Sequence, residues 1–319
     1  MSKIRVAVIG AGEFGRHHAR VLHELPEAEL VAVADSDPAR ARDTAARFGV
    51  EALTNYRDLA GRIDAATVAA PTSLHAEIGA ELLSRGIDVL VEKPIAADLE
   101  SADRLLAAAR DHGRILRVGH LERFNPAVEA AAALARLPLF FEVHRMSVFT
   151  PRSLDIDVVL DLMIHDLDIV LSLVRSEIQQ IHAVGLPVLS SRADIAHVRL
   201  QFANGCVANL TASRVSTEKI RKLRFFQPRQ YVSVDYSRQD GAVFSVSPSK
   251  QIAFEPLPVV KGEPLQREMA AFLEAVKTRA AGQVSGEDGR KALAVALRIV
   301  EEMDSHARIV AATIAGQGC

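Results

Sequence analysis

Two polar residues suited to proton transfer lie four positions apart in the mostly apolar segment 157–174. In a helix, Asp161 and His165 would be neighbours on one face. At ~100° per residue, every polar side chain of the segment except Asp166 falls within an arc of roughly 80°. So narrow a stripe predicts a buried helix with one side on a polar cavity; a solvated helix face is the alternative. Imidazole titrates near neutrality, so His165 is the candidate general base and Asp161 would orient it.

A second reactive group follows the apolar run Asp88–Val91, where Glu92, Lys93 and Pro94 end a predicted strand. Ligands bind at the carboxyl ends of strands in parallel sheets. The Lys93 ammonium could hold a substrate hydroxyl there and stabilise developing alkoxide charge. The alternative is a surface Glu-Lys pair before a proline that terminates the strand.

A glycine-rich run at residues 10–15 follows the predicted strand Lys3–Ile9 and opens the predicted helix Glu13–Leu25. In this context the first glycine makes the turn, the second admits a pyrophosphate, and the third lets helix and strand pack closely. The helix N-terminus then faces the phosphate charge. The expected cofactor contacts in this loop are Gly10, Gly12, Glu13, Phe14 and Gly15.

The residue that ends the next predicted strand, Asp35, stands 20 positions after Gly15. A carboxylate at this place accepts hydrogen bonds from the ribose hydroxyls of a dinucleotide. It also repels a 2′-phosphate, which favours NAD over NADP. The alternative for Asp35 is a solvated strand end.

The first part of the chain alternates strands and helices, which predicts a doubly wound parallel sheet, the Rossmann arrangement. The predicted N-terminal domain covers residues 1–121. Its strands are Lys3–Ile9, Glu29–Ala34, Ala65–Ala70, Asp88–Val91 and Ile115–Val118, and its helices are Glu13–Leu25, one capped by Asp37, Ser73–Arg85 and Leu99–His112.

The remaining residues, 122–319, predict an α+β domain with a large, mostly antiparallel, open-faced sheet. Asn204-Gly205 is a hairpin turn signal between two strand-like runs, Val198–Ala203 and Cys206–Ala212. Ser285 and Asp288 form a capping box at the start of the last helix. Further predicted elements are helices Asn125–Arg136 and Glu263–Ala281 and the strand Phe140–Val148.

Length and composition limit the possible functions. The 319 residues suggest two domains, and 38 basic against 40 acidic residues give no electrostatic reason to expect nucleic acid or anionic membrane. We see no apolar run long enough for a transmembrane helix, no signal peptide and no metal-ligand cluster. Two cysteines without metal-ligand or CxxC spacing, Cys206 and Cys319, favour a reduced cytoplasmic setting.

Four short segments together resemble the glucose–fructose oxidoreductase / inositol dehydrogenase / MocA family. They are Val8–Gly12, Ala70–His75, Glu92–Pro94 and the Asp161/His165 pair. The resemblance covers essentially the whole chain and implies a Rossmann domain followed by an open-faced sheet domain. It also implies catalysis by Lys93 and His165 beside Asp161, and oligomers, which we expect to be homodimers or homotetramers formed through the open sheet face. The further expected cofactor contacts are Pro71, Thr72, His75, Glu92, Lys93 and His120.

Three other segments resemble the branch of this family that oxidises UDP-N-acetylglucosamine, or its uronic acid, at C3: Val118–Pro126, Asp161–Asp168 and Ala212–Ser216. Such enzymes supply a ketone for 3-amino sugars of bacterial surface glycolipids. The substrate contacts would include Lys93, Asp161 and His165. Arg123, Asn125 and Arg152 are candidate donors to a sugar-nucleotide pyrophosphate, although each could equally be a helix cap or a surface charge.

Two alternatives remain at this point. One is a dehydrogenase for inositol or a simple sugar, because substrate range varies widely on a shared fold. The other is a regulator that senses a dinucleotide without turnover. The combination of Asp161, His165 and Lys93 argues against a sensor, which does not need a base.

Overall fold

The computed structural model describes residues 3–150, 156–280 and 282–316. The chain forms two compact units. The first consists of residues 1–124 and 262–293, and the second of residues 125–261 and 294–319. Among the described helices, none has the length and apolar character needed to cross a membrane.

The first unit is built on a six-stranded, all-parallel sheet in the order β3-β2-β1-β4-β5-β6. This confirms the predicted doubly wound sheet. The short, half-exposed strand β3 was not predicted, because three residues are too few to show a periodic pattern. The strands are β1 Ile4–Ile9, β2 Ala28–Ala34, β3 Glu51–Leu53, β4 Ala65–Val68, β5 Asp88–Glu92 and β6 Leu116–Gly119.

Four helices alternate with these strands, and their ends follow local signals. The Asp37 side chain accepts hydrogen bonds from the amides of Ala39 and Arg40, and Pro38 occupies the first turn. Gly49 ends the same helix in the left-handed conformation, at φ +66°. The helices are α1 Glu13–Glu24, α2 Pro38–Phe48, α3 Thr72–Ser84 and α4 Leu99–Asp111.

The second unit contains an eight-stranded sheet in the order β14-β13-β12-β11-β7-β10-β9-β8. All neighbouring strands are antiparallel except β7 and β10, which confirms a mostly antiparallel sheet. The predicted turn at Asn204-Gly205 joins β9 to β10, with Gly205 at φ +83°. The strands are β7 Phe140–Val148, β8 Ile178–Leu186, β9 Ile195–Phe202, β10 Val207–Ser216, β11 Ile220–Gln227, β12 Gln230–Asp235, β13 Asp240–Val246 and β14 Ile252–Pro256.

One face of this sheet is largely exposed, since buried and exposed residues alternate along β9. Five aromatic rings form a continuous row across adjacent strands on the exposed face, with successive centroids 4.7–5.7 Å apart. We call this row the aromatic ladder. Phe254, on the edge strand β14, is 61% exposed. The ladder consists of Phe140, Phe226, Tyr231, Phe244 and Phe254.

Two helices precede β8 in the second unit. Helix α5 spans Pro126–Leu134, and helix α6 spans Ile164–Val174. A wider π-helical turn, Val159–Met163, runs directly into α6. The prediction of one regular helix from residue 157 to 174 is therefore corrected, because the turn that contains Asp161 is not α-helical.

The last two helices are α7 Pro264–Thr278 and α8 Gly286–Gly316. Residues 262–293 belong to the first unit, where Met269, Phe272 and Leu273 of α7 join the same core as Val8 and Leu22. The sequence prediction placed all of residues 122–319 in one domain. The structure differs because the apolar face of α7 packs in the core of the first unit. Ser285 and Asp288 make the predicted reciprocal cap, with Ser285 N donating to Asp288 Oδ2 at 2.9 Å and Asp288 N to Ser285 Oγ at 3.2 Å.

Candidate active site

The glycine-rich loop between β1 and α1 has three glycines with different surroundings. Gly10 adopts φ +94°, and a Cβ there would lie 2.5 Å from the Ala69 carbonyl oxygen. A Cβ on Gly15 would lie 1.7 Å from the Gly10 carbonyl oxygen. Around Gly12, in contrast, no described atom outside its own stretch of chain lies within 4 Å of the Cβ position. Two glycines are therefore required by close packing, whereas Gly12 opens onto free space at the start of α1.

This open space fits a dinucleotide pyrophosphate. Within the described residues, Gly12 at the N-terminus of α1 makes no side-chain cap, and the end of a helix at this place attracts an anion. Phe14, in the first turn, is 55% exposed. The residues present can therefore hold the phosphates of the predicted cofactor on backbone N–H groups.

Asp35 lies beside the glycine-rich loop at the end of β2. Its Oδ2 accepts a hydrogen bond from Ala11 N at 2.6 Å, and its Oδ1 accepts one from Asp37 N at 2.8 Å. These bonds fix the carboxylate next to the loop. Each carboxylate oxygen has a further lone pair, so this arrangement can also accept hydrogen bonds from a ribose.

Glu92 is the last residue of β5, and its side-chain carboxylate contacts His18 and the backbone N–H of Lys93. Its Oε1 is 2.9 Å from His18 Nε2, and its Oε2 accepts a hydrogen bond from Lys93 N at 3.3 Å. Burial alone would raise the pKa of Glu92, but the hydrogen bond with His18 and the charges of His18 and Lys93 bring that pKa below its usual value. Sequence analysis missed His18, although its polar ring on the apolar face of α1 was a visible signal.

Four further predicted cofactor residues belong to the first unit. The His75 ring is buried, with Nδ1 3.0 Å from the Pro94 carbonyl oxygen and Nε2 2.9 Å from the Ala70 carbonyl oxygen, and burial lowers its pKa. This imidazole holds the start of α3 against the segment after Lys93. Pro71 and Thr72 begin α3, and His120 is buried just after β6.

Asp161 and His165 lie in the second unit, both half-buried. Asp161 is in the π-helical turn and His165 is in the first turn of α6. Asp168, which also belongs to the predicted polar stripe, is 2% exposed, so the stripe is not a fully solvated helix face. Lys93 lies in the first unit.

A buried ion pair follows His165 in the sequence. Asp166 accepts two hydrogen bonds from Arg145 of β7, from Nε at 2.5 Å and from Nη2 at 3.0 Å. Both side chains are 1% exposed. The Arg145 guanidinium also lies 5.4 Å from the centre of the Tyr236 ring. The pair fixes the first turn of α6 on the sheet; sequence analysis noted Asp166 only as the residue outside the stripe.

The three candidate phosphate donors have different outcomes. Asn125 is 3% exposed; its Oδ1 accepts from Ala127 N at 3.1 Å, and its Nδ2 donates to the Tyr236 carbonyl oxygen at 3.1 Å. Asn125 is thus a helix cap, the alternative given for it above, and its side chain is hydrogen-bonded to other protein groups. Arg123 is half-buried in the short turn Leu121–Phe124 of the first unit. Arg152 lies outside the described residues.

Comparison with known proteins identifies the family. Residues 4–120 match a model described as an oxidoreductase family with an NAD-binding Rossmann fold, and residues 137–230 match the GFO/IDH/MocA C-terminal domain. The chain belongs to the GFO/IDH/MocA oxidoreductase family. It is therefore a dehydrogenase that acts on CH–OH groups, and its first unit contains an NAD-binding Rossmann fold.

Individual relatives match nearly the whole chain or about two thirds of it. A UDP-N-acetylglucosamine 3-dehydrogenase of Acidithiobacillus ferrooxidans is 35% identical over 308 residues, which is 94% of this chain and 97% of that protein. A solved structure of the enzyme GnnA with that name, from the same organism, superposes with a TM-score of 0.90 at 34% identity and covers 96% of this chain and 99% of that one. An inositol 2-dehydrogenase of Rubrobacter xylanophilus is 32% identical over 228 residues, 67% of this chain and 66% of that protein.

Proposed function

We propose that this enzyme oxidises the C3 hydroxyl of a UDP-N-acetylhexosamine, UDP-N-acetylglucosamine or its uronic acid, to a ketone with NAD. The observation that carries the proposal is the full-length similarity to UDP-N-acetylglucosamine 3-dehydrogenase. The three segments that resemble this branch in the sequence support it. The ketone would be the substrate for an aminotransferase that makes a 3-amino sugar.

Lys93 and His165 would act on the same hydroxyl. His165 takes the hydroxyl proton as general base, and Asp161 favours the imidazolium that forms. The Lys93 ammonium donates a hydrogen bond to the oxygen while alkoxide charge develops. The O–H and C–H bonds break and the C=O bond forms. NAD, when bound, supplies the hydride acceptor at C4 of its nicotinamide.

We infer that NAD is preferred over NADP because of Asp35. Its carboxylate is fixed beside the glycine-rich loop by Ala11 N and Asp37 N. A 2′-phosphate there would meet a negative charge. The Asp35→Ser variant should narrow the difference between the dissociation constants of the two cofactors. Equal affinities in the unmodified enzyme would contradict this assignment.

The substrate is tested by NADH formation with UDP-N-acetylglucosamine, its uronic acid, myo-inositol and glucose. Because oxidation at C3 is uphill, a partner aminotransferase or rapid reoxidation of NADH keeps the reaction running. Turnover of a UDP-sugar with little turnover of inositol is the expected result. Turnover of inositol alone would favour the second candidate, an inositol dehydrogenase, which the similarity to the Rubrobacter enzyme supports. NAD binding without turnover of any alcohol would favour a sensor.

The catalytic roles are tested by single-turnover rates. His165→Ala and Lys93→Ala should each lower the rate about 10²- to 10⁴-fold with little change in NAD affinity. Asp161→Asn should have an intermediate effect. His182→Ala, which removes an exposed imidazole of β8 in the same unit, is the matched control. A near-normal rate for His165→Ala would show that another residue is the general base.

We further propose a homodimer or homotetramer formed through the open sheet face, in the cytoplasm. The aromatic ladder supports this interface, because aromatic side chains are enriched in contacts between proteins. Light scattering of the unmodified protein and of Phe254→Asp should show loss of the larger species in the variant. An unchanged mass for Phe254→Asp would place the contact elsewhere.

A further inference from the structure

A contact between a buried histidine and a partly buried glutamate joins the helix that starts at the dinucleotide loop to the strand that leads into Lys93. His18 lies six residues after Gly12 on α1, and its side chain is completely buried. Its Nε2 is 2.9 Å from Oε1 of Glu92, the last residue of β5. The contact thus ties α1 to the residue immediately before Lys93.

The same carboxylate is confined on two further sides. Its Oε2 accepts a hydrogen bond from the Lys93 amide at 3.3 Å. On β6, a Cβ at Gly119 would lie 2.8 Å from Glu92 Oε1, so a larger residue there would displace the carboxylate from this position. Glu92 is therefore held in one position by α1, by the Lys93 backbone and by the neighbouring strand.

Packing alone does not account for a polar contact here. The other buried residues of α1 are Gly15, Ala19, Val21 and Leu22, and the inner residues of β5 are apolar. The Glu92 side chain is only 15% exposed. A carboxylate with little exposure is costly unless it is hydrogen-bonded, and apolar residues of similar volume stabilise such a place equally well. Within the described residues, His18 Nδ1 has no hydrogen-bond partner, so the ring makes its one hydrogen bond with Glu92.

We propose that His18 and Glu92 are positioning residues that hold Lys93 in a fixed place relative to the dinucleotide loop. The proposal rests on the role of Lys93 in the proposed function. Gly12 and His18 are joined by continuous helix, so the contact links the position of the pyrophosphate-binding turn to that of the strand end. The hydrogen bond from Lys93 N to Glu92 then fixes the position of the backbone from which the lysine side chain extends.

Two substitutions at His18, to Gln and to Asn, distinguish the effect of the hydrogen bond with Glu92 from the effect of losing the imidazole ring. In His18→Gln, the side-chain Nε2 is four bonds from Cα, as His Nε2 is, and can donate to Glu92. In His18→Asn, the amide nitrogen is one bond closer to Cα and cannot reach. Both substitutions retain a buried amide, so the pair differs mainly in reach. His17→Asn, at the exposed neighbouring position on α1, is the control.

We expect kcat of His18→Asn to fall ~10- to 100-fold, since a displacement of about 1 Å in a reacting group can cost that much. The KM for NAD should change less than about 3-fold, and His18→Gln should keep kcat within about 3-fold of the unmodified enzyme. The effects of His18→Asn and Glu92→Gln should not multiply in the double variant, because both remove the same contact. Measurements well below the melting temperature of each variant separate positioning from stability.

Hydrogen exchange provides a readout that does not need a substrate. The Lys93 amide should exchange at least about 3-fold faster in His18→Asn than in His18→Gln, because the carboxylate that accepts its hydrogen bond is released. If the unmodified enzyme does not oxidise UDP-sugars, the proposed function fails, and exchange at Lys93 still decides the positioning role. Equal exchange and equal kcat in His18→Asn and His18→Gln, or an equal loss in His17→Asn, would overturn the proposal.

Discussion

Removal of Arg145 tests the buried ion pair that fixes the first turn of α6. The Arg145→Met variant removes the two hydrogen bonds, at 2.5 and 3.0 Å, that Arg145 donates to the Asp166 carboxylate, which is 1% exposed. Charge-assisted hydrogen bonds are worth about 1.5–3 kcal/mol each, so two amount to about 3–6 kcal/mol. Breaking a buried pair by removing one partner typically costs about 3–5 kcal/mol, which agrees with this sum.

The expected loss of stability is thus about 4 kcal/mol. A cooperative unit of roughly 150–250 residues shifts by about 2–4 °C per kcal/mol, so the melting temperature should fall by about 8–16 °C. Differential scanning calorimetry measures this change without any substrate. The double variant Arg145→Met/Asp166→Leu should recover most of it, because an apolar replacement of both partners is close to neutral. A shift below about 2 °C in the single variant, or a double variant less stable than the single one, would refute this reasoning.

Three further outcomes follow from the geometry. Gly12→Ala should leave the melting temperature unchanged and weaken NAD binding, as measured by titration calorimetry. Gly15→Ala should lower the melting temperature, because its Cβ would meet the Gly10 carbonyl. Equal melting temperatures for the two variants would contradict this. Burial alone would raise the pKa of Asp194, but the amides of residues 188–190 and the Ser190 hydroxyl lower it to about 2. Its contribution to stability is present above about pH 4 and is lost as the pH falls toward 2, so Asp194→Asn should reduce the difference between unfolding free energies at pH 6 and pH 3. Burial raises the pKa of Cys206 to about 11, so iodoacetamide at pH 8 should label it much more slowly in the native than in the unfolded protein, as peptide mass spectrometry would show.

Local patterns were sufficient to predict the dinucleotide loop. The order of strand, glycines and helix at residues 4–24 is decided within the segment itself, and so is the capping box of Ser285 and Asp288. The hairpin at Gly205 was also predicted, because a turn that requires positive φ depends on two residues only.

Contacts between residues that are distant in the sequence could not be predicted from such local patterns. Glu92 stays a predicted cofactor contact, but its contact with His18, 74 positions earlier, could not be predicted from the sequence around it. The partner of Asp166 is Arg145, on a strand that only the folded sheet brings near it. The π-helical turn at Asp161 also escaped prediction, because the polar stripe was calculated for a regular α-helix throughout.

The return of α7 to the core of the first unit has a consequence for protein synthesis. Met269, Phe272 and Leu273 cover apolar residues of the Rossmann core, so residues 1–124 alone leave this surface open to solvent. At about 5–20 residues per second, a ribosome needs roughly 10–30 s to add the chain from residue 124 to the end of α7. All eight strands of the second unit are made in that interval. The nucleotide-binding unit, although it begins at the N-terminus, is therefore completed only after those eight strands have been synthesised.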